Sequence, residues 1–329
     1  MNKFIAQRHK NLSAPESVIF DIVRKATNKT PIHKQKIVAG YDNEVYLVTS
    51  KEGNEFILRI NRFGEVGFRN EAWAIEECRK SGVPVPEIFF LDDVQVGESI
   101  CEVMLTNKFE GRPLGDFIKT LSTKELEAIL EQAGRILRKI HSIKVGGFYR
   151  RHTDGSWDFS DWDKYMDSVI RGRNSEKQYV LDAGFTNSEF TYMIDMLKHY
   201  KINYPCHQPV LNHGDYLPEH IFVTDEKKIS GIIDFGMIEG NTPIHDFAFL
   251  DFERPDIDIS ILKKGYGDGS LFDDSFDIKL NMHKLALQIG HLSHNVKIGD
   301  SKQAKWIAGR LRSTVEELKI LNNCPNYLK

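Results

Sequence analysis

The stretch from residue 210 to residue 236 constrains this chain more than any other. An apolar run ends at Leu211, His213-Gly214-Asp215 follows, and after Pro218 a second apolar run, Ile221-Phe222-Val223, begins. Gly214 and Pro218 exclude a regular helix, because glycine disfavours one and proline interrupts its hydrogen bonds. The segment is therefore a loop that presents Asp215 and His220. Turn chemistry at Thr224-Asp225-Glu226-Lys227-Lys228 then leads into a strand over residues 229–233, which ends in Asp234-Phe235-Gly236. A hairpin of this kind brings Asp234 back to the end at which the loop entered.

The surroundings of this insert differ on its two sides. The first hundred residues or so read mainly as strands around one helix. Glu44 to Thr49 and Glu55 to Ile60 are β-rich runs, and Lys51-Glu52-Gly53-Asn54 between them predicts a hairpin. Phe68, Ala72, Ile75 and Arg79 fall at helical spacing, with Gly82 as a stop. Val83-Pro84-Val85-Pro86 must be extended. A further strand over about residues 100–107 leads to Gly111-Arg112-Pro113, which reads as a turn or linker.

Beyond that point the chain turns helical. Ser122 and Glu125 form a capping-box pattern, and Leu126, Ile129, Leu130, Ala133, Leu137 and Ile140 continue it as one apolar stripe. Ile278, Met282, Leu285, Ile289, Leu292 and Val296 make a second stripe, and Ile307, Leu311, Val315 and Leu318 a third. The reading is an α+β chain with a small β-rich lobe over residues 1–107 and a larger helical lobe over residues 108–329.

The residues of the central insert suit phosphoryl transfer. The transferred group carries spread negative charge, so catalysis rests on positioning and neutralisation. One carboxylate must orient the acceptor hydroxyl and take its proton, and Asp215 fits that role. A second must hold Mg²⁺ on the nucleotide phosphates, for which Asp234 is the candidate, with His220 as a further ligand.

These motifs resemble the aminoglycoside phosphotransferase family, which is related to choline kinases and more distantly to protein kinases. The family loop is His-Gly-Asp, four residues, then Asn, and its metal carboxylate sits in Asp-Phe-Gly or Asp-Trp. Here the match runs through His213, Gly214 and Asp215, and His220 stands where Asn is commoner. Macrolide and some aminoglycoside kinases look similar at that position. Leu137 to Ser142, Val83 to Pro86 and Pro243-Ile244-His245-Asp246-Phe247-Ala248 are further likenesses, and the resemblance spans roughly residues 35–300.

The resemblance implies a bilobal, protein-kinase-like fold and an ATP-dependent, or GTP-dependent, O-phosphotransferase with Mg²⁺. It places Arg59 on the strand that carries the phosphate-contacting cation, and Glu71 as its ion-pair partner. Gly40 and Asn43 fall in the nucleotide-covering loop. Asn107, Lys108 and Phe109 sit where hinge backbone meets the base. It also puts the acceptor site in the helical lobe, where Asp251, Glu253, Asp256 and Asp258 form one acidic stretch and Asp268, Asp273, Asp274 and Asp277 another. Acidic residues around a pocket would concentrate a cationic acceptor such as an aminoglycoside.

Composition narrows the alternatives. A net charge of −3 gives no reason to expect nucleic acid or an anionic membrane as partner. No run of eighteen apolar residues is present, and residues 1–8 lack the apolar core of a signal peptide. Cys78, Cys101, Cys206 and Cys324 are scattered, as in a cytoplasmic protein with reduced thiols.

Each candidate also has an ordinary reading. Asp215 and Asp234 could brace turns, and the acidic stretches could be solvated faces. His213 reads as a structural brace, Asp246 as a structural partner of the Asp215 loop, and His283, His291 and His294 as core or surface histidines. Two other functions remain open at this level: a metal-dependent phosphohydrolase, and a non-catalytic nucleotide-binding member of the same fold.

Overall fold

The computed structural model describes residues 12–38, 43–62 and 67–323. Among them the chain forms two compact units. One comprises residues up to Asp116 together with Ile221–Gly236, and the other comprises Phe117–His220 and the chain from Met237 onward. The boundary expected near residue 107 thus falls inside the first unit, which also takes in the central hairpin.

In the first unit, helix α1 (Glu16–Thr27) precedes strands β1 (Pro31–Ile37), β2 (Asn43–Ser50) and β3 (Glu55–Asn61). Helix α2 (Phe68–Lys80) and strands β4 (Ile88–Val96) and β5 (Ser99–Asn107) follow. The strands form an antiparallel sheet in the order β1-β2-β3-β5-β4. Side chains alternate across it. Phe56, Leu58 and Ile60 of β3 join Ile19, Ile22 and Val23 of α1 in a buried cluster. Ile57 and Arg59 consequently lie on the opposite face. The buried side of α2 runs through Phe68, Glu71, Ile75 and Cys78. Arg79 does not extend that stripe; its guanidinium donates to the Pro86 carbonyl, tying the helix to the proline segment.

Gly111-Arg112-Pro113, read as a turn, includes a short strand. Arg112 and Pro113 pair with Val223 and Phe222, and Ile221–Val223 pairs in turn with Ile229–Ile232.

The second unit is built on helices α3 (Thr123–His141), α4 (Trp162–Ser175), α5 (Lys177–Asp182), α6 (Asn187–Asn203), α7 (Ile244–Glu253), α8 (Ile259–Tyr266), α9 (Phe276–Ile298) and α10 (Ser301–Asn323). Both halves of the capping box at Ser122 and Glu125 are present. The stripes of α9 and α10 interlock with α4 and α6 around Met193, Leu197, Met282, Leu285, Ile307 and Leu311. Helices α3 and α8 cross at glycines. A Cβ on Gly134 would come within 2.2 Å of the Leu262 carbonyl oxygen, so the backbones approach where any side chain would hold them apart. Residues 157–159, 148–151, 239–241 and 210–212 make a small sheet in that order. Its last strand delivers the chain to His213. Among the described residues, no helix is long and apolar enough to cross a membrane.

Candidate active site

In the first unit, Arg59 leaves β3 on the face away from α1, and its Nη1 donates to Oε1 of Glu71 on α2. Its guanidinium also lies 4.8 Å from the centroid of the Phe68 ring. Glu71 is almost fully enclosed and additionally accepts the Phe235 backbone N–H. The loop after the hairpin is thereby tied to the helix. Asp234 holds a φ of 67°, a left-handed conformation rarely adopted by residues other than glycine. Such strain persists only where the surroundings enforce it.

Burial by itself would lower the Arg59 pKa, but the charges of Glu71 and Asp234 outweigh it and hold the guanidinium above its ordinary value. Burial, and beyond it the charge of Asp234, push the Glu71 carboxyl above its ordinary value against the pull of Arg59.

Gly40 lies outside the described residues. Asn43 opens β2 opposite Asn61. Asn107 is engaged within the sheet: its backbone N–H donates to the Glu87 carbonyl at 3.2 Å, and its side-chain oxygen accepts from the Glu87 N–H at 2.7 Å. The Lys108 N–H goes to the Glu55 carbonyl. Phe109 packs beside Phe222, with its ring over Gly231.

In the second unit, the Asp215 loop hangs from a buried carboxylate. Asp246 on α7 accepts the His213 N–H at 2.9 Å through Oδ2 and the Gly214 N–H at 2.8 Å through Oδ1. Burial would raise the Asp246 pKa, yet the hydrogen bond from His141 and the neighbouring histidine rings hold the carboxyl below its ordinary value. It is therefore ionised and acts only as an acceptor. Gly214 has a φ of 80°, and a Cβ there would lie 1.9 Å from the Met237 carbonyl oxygen, so only glycine fits. The ring of Tyr216 is buried beneath the loop and its hydroxyl donates to the Ala133 carbonyl of α3 at 2.9 Å.

His220 Nδ1 lies 2.8 Å from the Asp215 carbonyl oxygen. A carbonyl can only accept, so Nδ1 carries the proton and the neutral ring has its lone pair on Nε2. In this tautomer Nε2 is the nitrogen able to bind a metal. Ile221 pairs with Ile232, closing the hairpin that leads into Asp234.

The acidic stretch at residues 251–258 does not act as one group. Lys284 binds Asp251 at 2.7 Å. Arg254 holds Asp256 through two hydrogen bonds of 3.0 and 2.9 Å, and also reaches Glu219 of the Asp215 loop. Asp258 caps α8 through the Ser260 N–H. Asp268 and Asp273 close local turns onto Ser270 and Ser275. Glu253 differs, because its carboxyl is pushed up by burial and then by the negative charge of Asp215. It also lies 3.6 Å from His291 Nδ1. Glu239, beside His245 at 3.2 Å, pairs across the sheet with Asn212, the residue before His213. Glu239 had no motif to announce it, and its place opposite Asn212, three residues before Asp215, arises from strand pairing alone.

The chain matches the model of the phosphotransferase enzyme family, APH, over residues 34–269. It belongs to that family. Its fold is that of solved relatives. Aminoglycoside phosphotransferase APH(4)-Ia is 18% identical, with 92% of this chain and 98% of that chain aligned and a TM-score of 0.70. A thermostable mutant of the same enzyme, in ternary complex with AMP-PNP and hygromycin B, is 17% identical over 91% of this chain and 98% of that one, also with a TM-score of 0.70. The GDP complex of a mutant aminoglycoside 2'-phosphotransferase-IIIa is 14% identical over 91% and 97%, with a TM-score of 0.63. No curated protein sequence matches the chain. Identities this low carry the α+β, protein-kinase-like fold to this phosphotransferase and leave its acceptor open.

Proposed function

We propose that this phosphotransferase is a small-molecule kinase that passes the γ-phosphoryl group of ATP to a hydroxyl on a small acceptor in the cytoplasm. The observation that carries the reading is the cluster of Arg59, Glu71 and Asp234: an enclosed guanidinium fixed by one carboxylate beside a second carboxylate on a strained turn. Arg59 steadies the nucleotide phosphates, since a planar guanidinium matches phosphate oxygens in pairs. Glu71 holds Arg59 in place. Asp234 would hold Mg²⁺, with His220 as a further ligand. When bound, that ion neutralises charge on the phosphate oxygens.

Asp215 orients the acceptor hydroxyl and takes its proton. Its loop is immobilised from below by Asp246, which is what positioning requires. Glu253 and Glu239 supply the negative charge that would draw an amine-bearing acceptor, whereas Asp251 and Asp256 are already matched by Lys284 and Arg254. Binding of AMP-PNP and hygromycin B by one fold relative supports an ATP donor and a hydroxylated amine acceptor.

The test is nucleotide consumption with Mg²⁺ across aminoglycosides, other hydroxylated amines, macrolides and sugars, with ATP and GTP compared. Removal of a general base costs on the order of 10²–10⁴ in rate. Asp215→Asn should therefore abolish acceptor-dependent turnover and retain nucleotide binding by calorimetry. Full turnover in Asp215→Asn would refute the assignment, and turnover that survives complete chelation of divalent ions would refute the metal role.

A further inference from the structure

Beneath the Asp215 loop lies a chain of buried groups that phosphoryl transfer does not itself use. His141, at the C-terminal end of α3, places Nε2 3.0 Å from Asp246 Oδ2 and Nδ1 3.2 Å from the hydroxyl of Tyr266, the last residue of α8. The side chains of His141 and Asp246 are 1% and 0% exposed. Asp246 is the same carboxylate that receives the His213 and Gly214 amides.

We infer that Tyr266 is a positioning residue for the transfer reaction, acting through His141 on the orientation of Asp246 and so on the place of Asp215. Donor and acceptor chemistry assigns this role, which rests on Asp215 being the base. An ionised Asp246 can only accept, so Nε2 of His141 must carry a proton. In the neutral ring Nδ1 is then an acceptor, and the Tyr266 hydroxyl donates to it. Tyr266 thereby selects one tautomer of His141. The other tautomer would turn a lone pair toward a buried carboxylate.

Three donors converge on Asp246, two of them backbone amides of the loop. The third, His141, shares Oδ2 with the His213 amide and fixes how the carboxylate is rotated. Turning that carboxylate would detach His213 or Gly214, and Asp215 is the next residue along. The glycine-lined crossing of α3 and α8 brings Tyr266 close enough to reach His141. A side chain at Gly134 would collide with the Leu262 carbonyl and force the helices apart.

The deciding variant is Tyr266→Phe, which keeps the ring packed between Phe247 and Phe272 at 5.4 and 5.6 Å and removes only the hydroxyl. Loss of one buried hydrogen bond is worth roughly a five- to tenfold change in a local equilibrium. Nitrogen NMR should show His141 passing from a single Nε2–H tautomer to a mixture. Amide exchange at Gly214 should accelerate roughly five- to tenfold. In Mg²⁺–ATP consumption kcat should fall by a similar factor, while KM for ATP changes less than about twofold, because only the transition state senses the displacement.

Tyr200→Phe is the matched control. It removes an equally buried hydroxyl that lies 2.8 Å from His283 Nε2, and it should leave Gly214 exchange unchanged. His141→Gln, which restores a donor toward Asp246, should recover activity that His141→Met loses. The inference is overturned if Tyr266→Phe leaves both the His141 tautomer and Gly214 exchange as in the wild type. It is also overturned if Tyr200→Phe accelerates Gly214 exchange equally. Wild-type protein that consumes no nucleotide with any acceptor would instead overturn the kinase reading and the catalytic half of this inference. In that case the NMR and exchange results still decide whether Tyr266 governs the loop.

Discussion

Replacing Gly214 with alanine tests most directly how the Asp215 loop is held. The added Cβ would sit 1.9 Å from the Met237 carbonyl oxygen, whereas ordinary contact begins near 3.4 Å, so about 1.5 Å of separation must open. Alanine at a φ of 80° adds about 1–2 kcal/mol of backbone strain. A loop lifted by that distance cannot keep its 2.8 Å bond from Gly214 to Asp246, a charge-assisted bond worth about 1.5–3 kcal/mol. Together these give a local cost of roughly 3–5 kcal/mol. A misplacement of about 1 Å lowers a positioned reaction by about 100-fold. Gly214→Ala should therefore lose at least that much in kcat, measured by coupled nucleotide consumption, and about 3 kcal/mol in urea denaturation if the strain is felt globally. Gly214→Ala protein with kcat within about threefold of wild type and an unchanged urea midpoint would show that the loop is not pinned between Met237 and Asp246.

Other perturbations probe separate parts. Glu71→Ala removes the buried carboxylate partner of the largely buried Arg59 and should destabilise the first unit by about 2–4 kcal/mol; Glu71→Gln, which retains a hydrogen-bond acceptor, should cost less in the same denaturation series. Burial lowers the His283 pKa from 6.5 to about 3, so the ring folds neutral. Its contribution is fully present above pH 6.5 and is lost as pH falls through that window toward about 3, by about 2 kcal/mol at pH 5. His283→Asn should be less stable than wild type near neutrality yet show a flatter decline in urea midpoint on acidification. Glu253→Gln should raise KM for an amine-bearing acceptor about tenfold with KM for ATP unaltered, and equal KM for amine and neutral acceptors in the wild type would argue against a charge-based acceptor site.

The sequence displayed whatever was periodic or local. The β2–β3 hairpin, the capping box at Ser122 and the stripes of α9 and α10 repeat over several turns, and Asp215 and Asp234 lie in compact motifs. Strand β4 was less visible because Ile88-Phe89-Phe90-Leu91 runs straight into Asp92 and Asp93, which an edge strand can leave in water. Helix α1 buries only Ile19, Ile22 and Val23, too brief a stripe to stand out. Glu253 could not be told from Asp251 and Asp256 in the chain, since what separates them is which cation folding supplies. The pairing of His141 with Asp246 spans 105 residues and leaves no local trace.

The membership of the hairpin has a consequence for how the protein is made. Residues 221–236 complete the first unit: Ile232 bonds to Pro84, Phe222 pairs with Pro113, and Glu71 accepts the Phe235 amide. During synthesis this unit lacks those partners until more than a hundred further residues have emerged. By then α3 to α6 are already out. Its final closure therefore depends on contacts of long sequence separation, which form late and slowly. A fragment ending at Asp116 should accordingly keep all five strands of its main sheet but leave Pro84, Pro113 and Glu71 without the hairpin partners that complete the unit.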